Sequence, residues 1–326
     1  MCRRTYILIL VLLAAVACSR KQDAYGGAGL RDDGQDMTVR VKAGEEDPKF
    51  TFLFWEKSVF DSGIASKPYH VSEPTGEIDS YQEVSASDNS TDFHTGRAYP
   101  ENYEIAVCTG YAPYGSVYPA VPDDYTKLSV SGSGSTDVLV SRNYLEGSSI
   151  FPFSGNLYFF HPQIMLVVKA KLKPDMAKYI KEVTFSVGAD NLLTSLQWND
   201  DEKCYLPTLE RGHSTWTSKV IAQQQINSSD EKVIGRAYVI PSTSESDGKM
   251  TGIDIVVSGS ISDTIDGDYV DFSMSVPVHF SDDPLELNDS YELLLLFDED
   301  QIEISALEIP WEVGGNILVP VHPIEP

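Results

Sequence analysis

The sequence predicts an all-β protein built from antiparallel sandwiches with few or no helices. Three observations point there. Short runs of alternating or continuous apolar residues recur every ten to fifteen positions. Turn signals rich in Gly, Pro, Ser and Asn separate them, and no long stretch carries helical periodicity. The third is composition: 17 tyrosines and 13 phenylalanines, within 10% aromatic residues overall, favour pleated and half-buried surfaces. At 42% hydrophobic residues the chain can build cores.

The strands follow in order. "MTVRVKA", residues 37–43, sets Met37, Val39 and Val41 against Thr38, Arg40 and Lys42, the pattern of a half-buried strand. The turn "GEEDPK" leads to "FTFLFW", residues 50–55, a buried strand dense in aromatics. Residues 56–102 read as loop-rich. "YEIAVCTGYAP" is a strong strand that stops at Pro113, and "KLSVSGSGSTDVLVS" holds two short strands around 128–130 and 137–140. A boundary falls near 147–155, dividing an N-terminal domain, 37–150, from a C-terminal domain, 151–326. Beyond it, "NLYFFHPQIMLVVKAKL" is a strand pair interrupted at Pro162. "DMAKYIK" is the one expected helical turn of that half. "EVTFSVGA", "VIGRAYVIP", "GIDIVVSGSI", "YVDFSMSVPVHF", "SYELLLLF" and "QIEISALEIPWEV" are further strands. The tail "NILVPVHPIEP", 316–326, is extended but carries Pro320, Pro323 and Pro326; a donated strand and a plain edge strand are both open.

The N-terminus has its own logic. Arg3 and Arg4 precede a dozen-residue run, Tyr6 to Ala17, that is too short for the ~20 residues a membrane-spanning helix needs. A positive start, a short apolar core and a small-residue exit read as an export signal over residues 1–17. "AVAC" at its end resembles the lipobox of bacterial lipoproteins, which implies cleavage before Cys18 and a lipid on its sulfur; ordinary secretion is the alternative. Residues 18–36, polar and glycine-rich, read as a flexible tether.

Charge excludes one class of partner. With 24 basic and 49 acidic residues the net charge is −25, a surface that repels nucleic acid. Cys108 and Cys204 are the two cysteines without an assigned role, either paired or, as the spacing favours, free. No nucleophile elbow, zinc-protease motif, P-loop or C-x-x-C pattern is present, and the six histidines stand singly. The reading is therefore a non-enzyme with no cofactor and no metal. His161 is expected as a packed, hydrogen-bonded residue. "DTIDGDYVD", 263–271, clusters Asp263, Asp266, Asp268 and Asp271 around Gly267, and reads as a hairpin turn ahead of a calcium loop. Its "DTI" resembles the Asp-Thr/Ser-aliphatic O-glycosylation pattern of Bacteroidetes, which makes Thr264 the candidate acceptor.

The succession of "AVAC", "MTVRVKA", "FTFLFW", "YPENYEIAVCTGYAP", "LYFFHPQIMLVVKAKL" and "NDSYELLLLFDEDQIEISALEIPWEVGG" resembles the fimbrillin superfamily, the type V pilus subunits of Bacteroidales. The resemblance implies two transthyretin-like β-sandwich domains and a lipoprotein anchored to the outer membrane through Cys18. It also implies a first strand that plugs a groove until a trypsin-like protease removes it, after which another pilus subunit donates a strand. Residues 37–43 would be that plug, and Arg40, Lys42 and Lys49 the candidate processing positions, since "GEEDPK" holds no arginine. A tip or accessory subunit, with a host or bacterial surface receptor, is the form expected. The competing expectation is a glycan-binding surface lipoprotein of a nutrient-uptake system, using Trp198, Trp216, Tyr114, Tyr118 and Tyr125 as a stacking platform.

Overall fold

The structure is a computed structural model, and it describes residues 36–42, 49–63, 67–72, 82–85, 90–113, 115–117, 122–132, 134–174, 178–187, 192–208, 216–217, 226, 230–240, 242–243, 250–279, 287–298 and 302–309. The segment read as an export signal, Cys18, the expected tether before Asp36 and the tail 316–326 lie outside the described residues, as do Tyr114 and Tyr118.

The first half runs β1 (Asp36–Lys42), β2 (Thr51–Glu56), a one-turn helix α1 (Lys57–Asp61), β3 (His70–Ser72), β4 (Gln82–Ser85) and β5 (Ser90–Ala98). A 3-10 turn (Glu101–Tyr103) leads to β6 (Ala106–Ala112), β7 (Lys127–Ser129), β8 (Leu139–Ser141), β9 (Leu145–Gly147) and β10 (Phe159–Phe160). The second half continues with β11 (Ile164–Leu172), β12 (Tyr179–Val187), β13 (Ser195–Asn199), β14 (Cys204–Pro207), β15 (Trp216–Thr217) and β16 (Lys232–Val239). It closes with β17 (Ser242–Thr243), β18 (Met250–Ser262), β19 (Val270–His279), β20 (Ser290–Phe297) and β21 (Ile302–Glu308).

The protein is all-β. In the first half, the sheet β1–β5–β4 faces the larger sheet β10–β8–β6–β2–β3 across a core of Met37, Val39, Val41, Phe50, Phe52, Phe54, Phe93, Leu157 and Phe159. The larger sheet is buried on its other face too. There Leu53, Trp55, Val107 and Val140 meet Leu128, Leu196, Trp198 and Tyr205 of a third sheet, β14–β13–β7. This explains why "FTFLFW" is continuously apolar: alternate residues serve two different cores, so no position of the strand faces water.

The second half is a sandwich of β16–β11–β20–β21 against β15–β12–β18–β17, with β19 on β18, around Leu166, Val168, Phe185, Ile255, Val257, Leu293 and Leu295. One pair departs from the antiparallel pattern: β11 and β20 run parallel from Met165↔Ser290 to Leu172↔Phe297. The chain between them crosses through the opposite sheet before returning, as a parallel pair requires.

Two local expectations are corrected. The expected helical turn "DMAKYIK" is not one where it is described, because Tyr179–Lys181 opens β12. The one described α-helix is instead Lys57–Asp61, within the stretch read as loop. That loop-rich stretch also contains β5, a nine-residue strand with only Phe93 as a fully buried large apolar side chain.

Elsewhere pattern and structure agree. Pro113 ends β6, and His161–Gln163 separates β10 from β11. The 263–269 segment is the turn between β18 and β19. β7 and β8 form where expected, but they are not a hairpin: β7 pairs with β13 and β8 with β6.

Candidate functional site

The site is the slot that holds β1. Its inward side chains, Met37, Val39 and Val41, are all 0% exposed, because the alternation of "MTVRVK" puts them in register with the aromatic core. Burial of each is worth about 1.5–3 kcal/mol relative to exposure. The floor is aromatic: Phe50 stands 4.6 Å from Phe159 and 5.5 Å from Phe93, and Phe52 is 5.4 Å from Phe93.

The two edges of β1 are held differently. Along one, it pairs antiparallel with β5 from Thr38↔His94 to Lys42↔Ser90, with an irregularity before Thr38. Along the other, it makes a parallel bridge at Val41↔Leu157. There Leu157 N–H donates to the Arg40 carbonyl at 2.7 Å, and Lys42 N–H donates to the Leu157 carbonyl at 3.3 Å. The strand thus lies between β5 and the chain at Leu157, with its apolar face down.

Its outer face is polar. The Arg40 guanidinium forks onto Asp92, Nε to Oδ1 at 2.5 Å and the second nitrogen to Oδ2 at 2.8 Å, in an exposed pair. Thr38 Oγ1 meets His94 Nδ1 at 3.0 Å. At the head of the strand, the Thr95 hydroxyl donates to the Met37 carbonyl at 2.9 Å and the Tyr69 hydroxyl to Met37 Sδ at 3.2 Å.

Beside that head lies a concavity of about 330 Å³ bordered by Tyr69, His70, Arg97, Tyr99 and Glu101. Burial, and then the Arg97 charge, push the His70 imidazole down to about 4, so it is neutral at ordinary pH. Its ring stacks on Phe54 at 5.6 Å. Burial also raises the Tyr69 phenol above its ordinary range.

The candidate processing residues divide. Arg40 and Lys42 are inside the paired strand, whereas Lys49 is exposed immediately before the buried Phe50. Thr264 is exposed at the tip of the β18–β19 turn; its N–H bonds Ser262 Oγ and its carbonyl accepts from Gly267 N–H at 3.1 Å. Asp263 beside it pairs with Lys178 at 2.6 Å.

Cys108 and Cys204 are both free and buried, and burial pushes Cys204 up to about 11 and Cys108 well above its ordinary value. Among the described residues, no three of His, Cys, Asp and Glu converge as metal ligands.

Of the residues proposed for a stacking platform, Tyr114 and Tyr118 lie outside the described residues, and the two whose burial is described face inward. Trp198 and Tyr125 are core, 6% and 1% exposed, and Trp198 stands edge-on to Phe60 at 5.4 Å and to Tyr205 at 5.1 Å. The partner of the slot that sequence reasoning missed is β5; Leu157 falls in a stretch read as strand, but its pairing with β1 was not foreseen. β5 carries Ser, Thr, Asp and His where a strand signal wants apolar residues.

Fold and slot together define an all-β scaffold whose first strand is seated between β5 and Leu157. No family model matches the sequence, and no curated protein matches it. Solved structures are similar to it in arrangement. One is a proposed cell adhesion protein of Bacteroides uniformis, at TM-score 0.47 and 12% identity, over 87% of this chain and all of that one. A fimbrial assembly protein of Parabacteroides distasonis has TM-score 0.44 and 10% identity, over 84% of this chain and 96% of that one. A fimbrial protein of Bacteroides vulgatus has TM-score 0.42 and 11% identity, over 80% of this chain and 91% of that one.

Proposed function

We propose that the chain is a structural and adhesive subunit of a cell-surface pilus, exported as a lipoprotein through Cys18 and assembled by strand exchange at the β1 slot. The observation that carries this is the seating of β1. Its apolar teeth are fully buried, yet it is covalently continuous with the sandwich only through residues 43–49. Once cut there, β1 is held by side-chain burial and ladder bonds alone. Its departure would leave Phe50, Phe52, Phe93 and Phe159 facing water, with the inner edge of β5 unpaired. Such a groove takes another strand of the same alternation.

In this reading Lys49 is the processing position, because Arg40 and Lys42 are shielded by pairing on both edges of β1. The donor is the tail 316–326 of a neighbouring subunit, and the partners are other pilus subunits and the outer membrane. A tip or accessory place, facing a host or bacterial receptor, fits the expectation from the sequence, and Thr264 at an exposed turn is the acceptor proposed for a glycan. The division at residue 150 is retained as the domain proposal, with β13 and β14 packing back onto the first half through β7.

The test is the N-terminal mass of the protein from intact cells, before and after treatment with a trypsin-like protease. The expected result is an acylated Cys18 that gives way to a new N-terminus at Phe50, together with denaturant-resistant oligomer ladders. An N-terminus that stays at Cys18 while the protein remains monomeric would refute assembly by strand exchange.

A further inference from the structure

We propose that the end of the N-terminal sandwich from which β1 enters is a lipid-contacting tip, whose exposed apolar side chains, interspersed with Glu101 and Glu104, rest on uncharged headgroups next to the anchor. The proposal rests on the reading that Cys18 carries lipid.

The strand registers place three segments at this one end. β1 starts here, Asp36 lying against Ala98 of β5. The chain after Ala98 forms 99–105 before β6 begins at Ala106. Ala106 pairs with Gly147, so the chain leaving β9, 148–153, lies beside it. The C-terminal half departs from the opposite end, since the chain at Leu157 runs parallel to β1 and leads through β10 and His161–Gln163 into β11.

Among the described residues, twelve large apolar side chains are exposed, and five of them, Tyr69, Tyr103, Ile105, Ile150 and Phe151, are at this end. Phe151 is 72% exposed and Tyr103 53%. They are displayed on fixed backbone. Asn102 and Tyr103 take left-handed φ of 58° and 61°, costly for residues other than glycine, and Glu104 N–H closes the turn onto the Glu101 carbonyl at 3.3 Å. In the second loop, Ser148 N–H donates to the Phe151 carbonyl at 2.8 Å, Phe151 N–H donates to Ser148 Oγ at 3.2 Å, and Phe153 N–H donates to the Tyr99 hydroxyl at 2.7 Å. This loop folds back over Gly147 so closely that a Cβ there would stand 2.6 Å from Phe153 N. The two loops are thereby stapled to each other with their apolar side chains outward.

Position and charge choose the occupant. Cys18 is eighteen residues before Asp36, and a glycine-rich chain of that length has an r.m.s. span of about 23 Å. A lipid at Cys18 therefore keeps this end, and not the C-terminal sandwich, near the bilayer. Tyr, Phe and Ile are side chains that partition to the headgroup boundary. A chain of net charge −25 is repelled by anionic lipid, so the surface must be uncharged. Tethering supplies a high local concentration, so a five-residue contact suffices without strong intrinsic affinity.

The experiment uses the full mature chain with a histidine tag in place of Cys18, held on phosphatidylcholine vesicles that carry a nickel-chelating lipid. Ser149→Cys, labelled with an environment-sensitive fluorophore, reports the tip, and buried Cys108 and Cys204 are shielded from labelling. The expected result is a blue-shifted label quenched by bromine on the acyl chains. Ile150→Ser with Phe151→Ser should lower the partitioning of the untethered chain at least about tenfold, while Val233→Ser, an exposed site on β16, should leave it unchanged. A label that stays aqueous on the tethered protein overturns the proposal. So does shielding that develops with protein concentration in the absence of vesicles, which marks a protein-docking face. Because the tag replaces the lipid, the tip is read independently of the anchor. The acyl mass on Cys18 tests the anchor separately.

Discussion

His70 shows how one side chain links the slot to solution conditions. Burial and Arg97 hold its pKa at about 4, against 6.5 for the free residue. The unfolded chain therefore binds more protons than the native one between those values, and stability is complete above pH 6.5 and is lost as pH falls toward 4. The ring is only half-buried, so solvent screening keeps the effect modest, about 1 kcal/mol. His70→Gln should flatten the stability–pH curve between pH 6.5 and 4, read by urea unfolding at several pH values. An unchanged slope would place the sensitivity elsewhere. Gly147 is another residue whose identity follows from geometry, because the chain at Phe153 occupies the space a Cβ would need.

At the scale of the element, β1 is bound by three buried side chains and by ladders on two unequal edges. A charge on its inward face should expel it without dissolving the rest, since the larger sheet keeps its second core with β14–β13–β7. Val39→Asp should therefore leave the chain folded by near-ultraviolet dichroism while Arg40 and Lys42 become sites of rapid tryptic cleavage. A synthetic peptide of residues 36–42 added to protein cut at Lys49 and cleared of its own strand should restore protection. Global unfolding of the variant would show that β1 is integral rather than exchangeable.

How much of this slot was legible in the sequence follows from the pattern each strand carries. β1 and β2 were plain because their apolar residues outnumber any other explanation of the period. β5 was hidden because it faces the core through Thr91, Phe93 and Thr95, two of them hydroxyl-bearing, so its inward face does not register as hydrophobicity. Burial of Thr95 is made tolerable by its bond to the Met37 carbonyl, a partner 58 residues away that no local window contains.

At the scale of the molecule, the two halves meet at a polar hub where β10 gives way to β11. Gln163 accepts from Val138 N–H at 2.9 Å and donates to the Thr136 carbonyl, and its own carbonyl accepts from Asn288 N–H at 2.9 Å. His161 meets Asp137 at 2.7 Å, and its N–H donates to Asn288 Oδ1 at 3.1 Å. Buried groups connected in this way fix orientation, and removing one leaves its partners unpaired at about 1–3 kcal/mol. Gln163→Ala should lower the unfolding midpoint and split a single transition into two, as followed by calorimetry. A single transition shifted only slightly would show that the hub does not couple the halves.

The sequence by itself determined the class: strand-length apolar runs, turn residues and aromatic content specify an all-β chain, because side-chain period and turn chemistry are local properties. It also specified a half-buried strand over residues 37–42. Only the tertiary structure decided what that strand lies against. The partners β5 and Leu157, the parallel β11–β20 pair, the second core beneath "FTFLFW" and the apolar end where β1 enters all depend on contacts between residues tens of positions apart. Such contacts are selected by mutual burial and by backbone pairing, which any one segment leaves undetermined.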